Sequence, residues 1–196
     1  MWPQPVTLTG KHVSVVPLSP DHRADLEEAA ADGDLHRLWY TMIPTPKGVG
    51  AEIDRRLGLM DQGSMLPFTI LDASGKPVGM TTYMNIDASS RHVEIGSTWY
   101  RKSAQRGPMN TECKFLLLRH AFEGLDCIAV EFRTHFVNHQ SRRAIERLGA
   151  KLDGVLRSHM IMENGSLRDT AVYSITAAEW SMVRANLMWQ MQKPRD

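Results

Sequence analysis

Apolar and polar positions follow two rhythms along this chain. HVSVVPL, at 12–18, alternates and is rich in β-branched residues, which predicts a strand. Ser19 then stands as a cap with Pro20 at the first helical position, and Leu26, Ala29 and Ala30 carry a helix to about Gly33. DLHRLWYTMIPTPKG breaks the pattern with two prolines and the pair Trp39 and Tyr40, after which residues 48–62 return to helical spacing. Three strand-like runs follow, LPFTILD, PVGMTTYMNI and HVEIGSTWY. The turns between them, ASGK and DASSR, are short enough for hairpins and predict an antiparallel meander.

Within AQRGPMNTECKFLLLRHAFE, at 104–123, a polar turn leads straight into an apolar run of helical period. CIAVEFRTHF then has the nearly continuous apolar character of a strand buried on both faces, and strand, helix, strand predicts a right-handed parallel crossover. NHQSRRAIERLGAKLDG supplies a short helix with Ala144, Ile145 and Leu148 on one face and Gly149 as its stop. Strands over about 151–162 and 167–175, joined by ENGS, and a helical tail from Ala177 complete the chain. The order predicts a mixed α/β (α+β) fold, with one domain over 1–196.

Composition narrows the function. At 196 residues the chain can bury a real core, and a net charge of +1 gives no global attraction to nucleic acid or anionic lipid. Neither a basic, aromatic-laced stripe nor a GxGxxG after a strand is present, which argues against nucleic-acid and dinucleotide binding. Cys113 and Cys127 read as reduced core residues of a cytoplasmic protein, and no apolar run approaches the roughly 20 residues that span a bilayer. The eight histidines show no paired spacing, so no metal site is expected.

A helix that starts after a polar turn, between a meander and a parallel strand, offers its free amides and the positive end of its dipole to an anion. Read together, EIGSTWY, QRGPMN at the helix start, a strand, and NHQS...LGA resemble the GNAT superfamily of acyl-CoA-dependent N-acetyltransferases. The branch they resemble most is the RimJ/RimL type, which acetylates ribosomal-protein amino termini. The resemblance extends over nearly the whole chain, to a closing hairpin in GVLRSHMIMENGSLRDTAVYSI. It implies a GNAT-like domain with a mostly antiparallel central sheet, one splayed parallel pair and flanking helices.

The same resemblance implies acetyl-CoA as cofactor and assigns residues to it. Gln105 opens the family's phosphate loop and Asn110 closes it, so the pyrophosphate would lie on the amides of Arg106, Gly107, Met109, Asn110 and Thr111. Pro108 stands where the pattern has glycine and brings no N–H. Thr98, Trp99 and Tyr100 would offer backbone groups to the oxyanion and the pantetheine arm, Asn138 would hold that arm, and Ser141 would protonate the thiolate. Glu94 is the candidate base, or it pairs with a neighbour such as Arg91; His135 and His139 are candidate proton shuttles. Arg142 and Arg143 could reach the 3'-phosphate.

The acceptor, an amine on a peptide or small molecule, would meet residues 33–60 and the last hairpin, including Trp39, Tyr40, Asp169 and Tyr173. Trp39 and Tyr40 could instead fill a core gap, which aromatic residues do more often. A monomer or homodimer is expected, and the competing function is an acyl-CoA-binding sensor that performs no catalysis.

Overall fold

The computed structural model describes residues 2–193. Its strands, in chain order, are β1 (Leu8–Thr9), β2 (Val13–Pro17), β3 (Met65–Asp72), β4 (Pro77–Asp87), β5 (His92–Tyr100), β6 (Ala129–His135), β7 (Lys151–Ile161) and β8 (Leu167–Thr176). They form one sheet in the order β1-β2-β3-β4-β5-β6-β8-β7. β5 and β6 pair in parallel, and the other neighbouring pairs are antiparallel. The helices are α1 (Arg23–Ala31), α2 (Val49–Asp61), α3 (Met109–Arg119), α4 (His139–Arg147) and α5 (Trp180–Gln192). The meander, the parallel pair and the closing hairpin are those the alternation predicts.

Several boundaries moved for local reasons. Ser19 accepts from the Asp21 amide as expected of a cap, yet Pro20–His22 form a 3-10 turn and α1 proper begins at Arg23. β1 is a two-residue strand, too short for any periodicity to reveal. β6 is not buried on both faces: Val130, Phe132 and Thr134 are buried, while Glu131 and Arg133, on the alternate face, are half-buried. That face belongs to the site.

Alternation divides the sheet into two surfaces. Val13, Val15, Leu66, Phe68, Ile70, Tyr83, Val93, Ile95, Val130, Phe132, Tyr173 and Ile175 share the main core with Leu116, Leu117 and Leu118 of α3 and Val183 and Leu187 of α5. Tyr83 locks α3 down by donating to the Leu117 carbonyl at 2.6 Å. On the other surface, Leu26, Ala29 and Ala30 of α1 and Val49 and Ile53 of α2 pack on Met80 and Trp99. α1 and α2 contact β4 and β3, which leaves the same surface over β5, β6 and β8 to a cleft.

Trp99 reaches that second surface because of a bulge. Met80 faces Trp99 and Thr82 faces Gly96, so Ser97 and Thr98 together oppose Thr81. Ser97 takes φ 47°, and the extra residue shifts the alternation by one, putting Trp99 with α1 and α2 while Tyr100 returns to the main core.

Candidate active site

β5 and β6 pair only from His92↔Ala129 to Glu94↔Glu131, although β5 continues to Tyr100 and β6 to His135. Beyond Glu94 the two strands separate, and among the described residues the edge of β5 toward β6 has no strand partner. The opening leads into a cleft of about 1420 Å³, lined by both strands, the α3 and α4 N-termini, the 33–43 segment and β7–β8. Splayed parallel strands at a change of sheet order are a favoured place for a ligand.

At one end lies the start of α3. Pro108 occupies its N-cap position, and the Glu112 amide already bonds to the Pro108 carbonyl at 3.0 Å. The amides of Met109, Asn110 and Thr111 precede the first intrahelical donor and so remain free for a ligand. Arg106 adopts φ 63°, turning the chain into the helix, while Gln105 donates to the Tyr100 carbonyl at 3.2 Å and ties the loop to β5. Lys102, Arg106, Arg143, Arg147 and Lys193 also line the cleft. Free amides, a helix dipole and this cationic rim suit a phosphorylated cofactor. Arg142 is committed elsewhere: it donates to Tyr173 Oη at 2.8 Å and lies over the Phe136 ring.

Asn138 caps α4, its Oδ1 accepting from the Ser141 amide at 3.0 Å. Both residues line the cleft. The cap occupies Oδ1, and the Asn138 Nδ2 donors remain for another acceptor.

At the other end Glu94 is 4% exposed. It stands on the same sheet face as Met84 and Glu131, its direct cross-strand partners. Asn85, in a positive-φ conformation beside the register shift in β4, turns its amide to donate to Glu94 Oε2 at 2.7 Å. Arg133 approaches the same oxygen at 3.7 Å. Burial nevertheless dominates and raises the Glu94 pKa, against the opposing effects of Asn85 and Arg133. Arg91, the partner considered from sequence, pairs with Asp126 instead. Gly96 keeps room beside Glu94: a Cβ there would lie 2.6 Å from Met84 Sδ and 2.9 Å from Glu94 Oε1.

Among the residues singled out from sequence, Glu94, Thr98, Trp99, Tyr100, Gln105, Arg106, Gly107, Asn110, Thr111, Asn138, Ser141 and Tyr40 line the cleft together. Met109 instead packs against the main core. Trp39 is half exposed and meets His135 edge to face, centroids 5.3 Å apart. Tyr173 is fully buried, hydrogen-bonded to Arg142 and Glu146. Asp169 accepts from the Ser158 amide at 2.7 Å and pairs with Arg157, so it holds the irregular stretch of β7 that precedes His159 and Met160. Neither Tyr173 nor Asp169 lines the cleft.

Two buried cations escaped the sequence reading. Arg56 of α2 is 1% exposed; it pairs with Glu52 at 2.7 Å and donates to Thr82 Oγ1 at 2.8 Å and to the Ser97 carbonyl at 3.0 Å. Lys114 of α3 is 7% exposed and donates to Thr98 Oγ1 at 2.6 Å. Burial pulls its pKa down to about 8. Their signals were a Glu-to-Arg pair at i,i+4 and a lysine three and four residues before Leu117 and Leu118, on the apolar side of its helix.

A cleft between splayed parallel strands, with a helix start bearing free amides at one end and a buried carboxylate at the other, is the arrangement an acyl-CoA-type transferase needs. The chain belongs to the acetyltransferase (GNAT) domain family, whose model matches residues 12–151. That family uses acetyl-CoA. YdaF of Bacillus subtilis (strain 168), named a ribosomal N-acetyltransferase, is 30% identical over 106 residues. The match spans 54% of this chain and only 57% of YdaF. A GCN5-related N-acetyltransferase from Brucella melitensis superposes with a TM-score of 0.87 at 30% identity, covering 96% of this chain and 86% of that one. Mycobacterium smegmatis RimJ, in complex with CoA-disulfide, shares the fold at a TM-score of 0.78 and 23% identity, over 96% of this chain and 95% of its own. Among the described residues no helix is long and apolar enough to cross a membrane.

Proposed function

We propose that this protein transfers an acetyl group from acetyl-CoA to a primary amine, with protein or peptide amino termini as the favoured acceptors. The observation that carries this reading is the separation of β5 from β6 beyond Glu94, which sets free helix amides and a buried carboxylate at opposite ends of one cleft. The likeness to a ribosomal N-acetyltransferase supports the choice of acceptor.

When bound, acetyl-CoA supplies an acetyl group on a thioester. The amides of Arg106, Gly107, Met109, Asn110 and Thr111 hold the pyrophosphate, with the cationic rim neutralising its charge. Pro108 lacks one amide donor, but the remaining donors and the dipole persist. Asn138 Nδ2 and the open edge of β5 at Thr98, Trp99 and Tyr100 align the pantetheine arm, and the reaction gains chiefly from proximity. Glu94 takes the proton that the amine sheds, directly or through water; its raised pKa makes it a stronger base than an exposed carboxylate. Ser141 Oγ returns a proton to the leaving sulfur.

Calorimetric titration with acetyl-CoA, followed by free-thiol release in the presence of peptides with free amino termini, tests this. Micromolar binding and amine-dependent thiol release are expected. Binding without thiol release from any amine would favour the sensor reading, and no binding would remove both.

A further inference from the structure

Alternation along β6 and β8 places a second set of groups beside Glu94. Glu131, Arg133 and His135 follow one another on one face of β6; Thr170 pairs with His135, and Arg168 lies two residues further along the same face of β8. Glu94, Arg133, His135, Arg168 and Thr170 all line the cleft.

His135 is 5% exposed, and its Nε2 has no hydrogen-bond partner among the described residues. Its Nδ1 accepts from the Val137 amide at 3.3 Å, which puts the ring proton of the neutral form on Nε2. Burial, reinforced by the charge of Arg168, lowers its pKa against the pull of Asp169 and keeps the ring neutral. The result is a buried N–H donor with no nitrogen or oxygen acceptor among the described residues, only the edge-to-face Trp39 ring beside it, an arrangement proteins rarely leave unanswered.

Arg168 has a similar vacancy. Its Nε donates to Thr170 Oγ1 at 3.0 Å, but among the described residues no carboxylate lies within 4.0 Å of it. Arg133 differs, being paired with Glu131 and Glu94. Arg168 and the His135 N–H therefore form a donor set of positive character in the same cleft lining as Glu94.

We propose that these two residues form a carboxylate subsite at the acceptor end, so that the preferred substrate is an amine carrying a carboxylate a few bonds away. This rests on the acetyl-transfer reading above. Glu94 receives the amine while Arg168 and His135 Nε2–H receive the acid, a pairing that fits a peptide whose first residue is acidic or a free amino acid through its α-carboxylate.

The test compares a peptide beginning with Asp against the same peptide beginning with Asn, and free aspartate against its α-amide. Two readouts are used: thiol release with acetyl-CoA, and calorimetric binding of each acceptor to the CoA-saturated protein. The expected result is a preference of about tenfold or more for the acidic member of one pair, and the pair that shows it identifies the source of the carboxylate. Arg168→Gln should bring the preferred ratio close to one, chiefly through KM, and Arg168→Lys should restore part of it. Equal binding of both members in both pairs, or a preference that survives Arg168→Gln, would overturn the subsite. Should the variant fail to fold, the wild-type ratios decide alone. Acid-selective binding without thiol release would instead leave the subsite standing and remove the acetyl-transfer reading.

Discussion

The two ends of the cleft are built by different means. At the cofactor end, the free donors are backbone amides from one contiguous turn and the helix that follows it. At the acceptor end, side chains converge from β4, β5, β6 and β8 on a single sheet face. A site made of backbone tolerates changes in side chain and depends on where its helix begins. A site made of side chains can be abolished by one substitution while the frame stays intact.

The largest expected effect breaks the two ends apart. Glu94→Gln should lower kcat/KM by about a hundredfold or more, the scale of a lost general base, while calorimetry finds acetyl-CoA affinity unchanged. Because burial raises the Glu94 pKa, the acid limb of the wild-type pH profile should lie above the usual carboxylate value of about 4.3, and the variant should lose that limb. A parallel loss of cofactor affinity would mean that the ends are not independent.

A smaller effect concerns Lys114, which belongs to the frame of the cofactor end. The folded lysine titrates near 8 and the unfolded one near 10.5, so between these values the unfolded chain binds more protons and stability rises with pH. The interval corresponds to at most about 3 kcal/mol of destabilisation below pH 8. Lys114→Met should therefore stabilise the protein by about 1–3 kcal/mol at pH 7, an advantage that fades between about pH 8 and 10.5. Melting curves across that range check it; a constant difference would show that the lysine carries no such cost.

The smallest effects sharpen the backbone end. Asn138→Ala should cost about 1 kcal/mol of stability through the lost cap and weaken acetyl-CoA binding in calorimetry. Pro108→Gly adds one N–H at the α3 N-cap and should tighten binding a few-fold. Unchanged affinity in the proline variant would mean that the pyrophosphate does not reach that position.

This contrast also explains what could be read in advance. The start of α3, the N-cap asparagine and the meander are local in sequence, so spacing and turn chemistry reveal them. Arg56 and Lys114 look like ordinary surface cations in one dimension; their burial arises from partners 26 and 16 residues distant. His135 was visible as a candidate proton shuttle, but its orphaned Nε2 depends on pairing with β8, which spacing alone does not supply. Tyr173 and Asp169 were placed on the correct hairpin. The alternation of β8 buries Tyr173 in the core, and Asp169 is spent on the β7 backbone.

The two-residue bulge in β5 is gripped from both sides of the sheet: Arg56 of α2 holds the Ser97 carbonyl, and Lys114 of α3 holds the Thr98 hydroxyl. Neighbouring threonines on β4, Thr82 and Thr81, complete the two grips. The bulge acts as a rivet through three layers, and neither helix layer can shift alone without tugging on the strand that borders the cleft. Gentle heating or mild denaturant should consequently leave acetyl-CoA affinity in place until the helix layers themselves come loose. Grafting α2 or α3 singly into a related scaffold should fail unless the matching threonine travels with it.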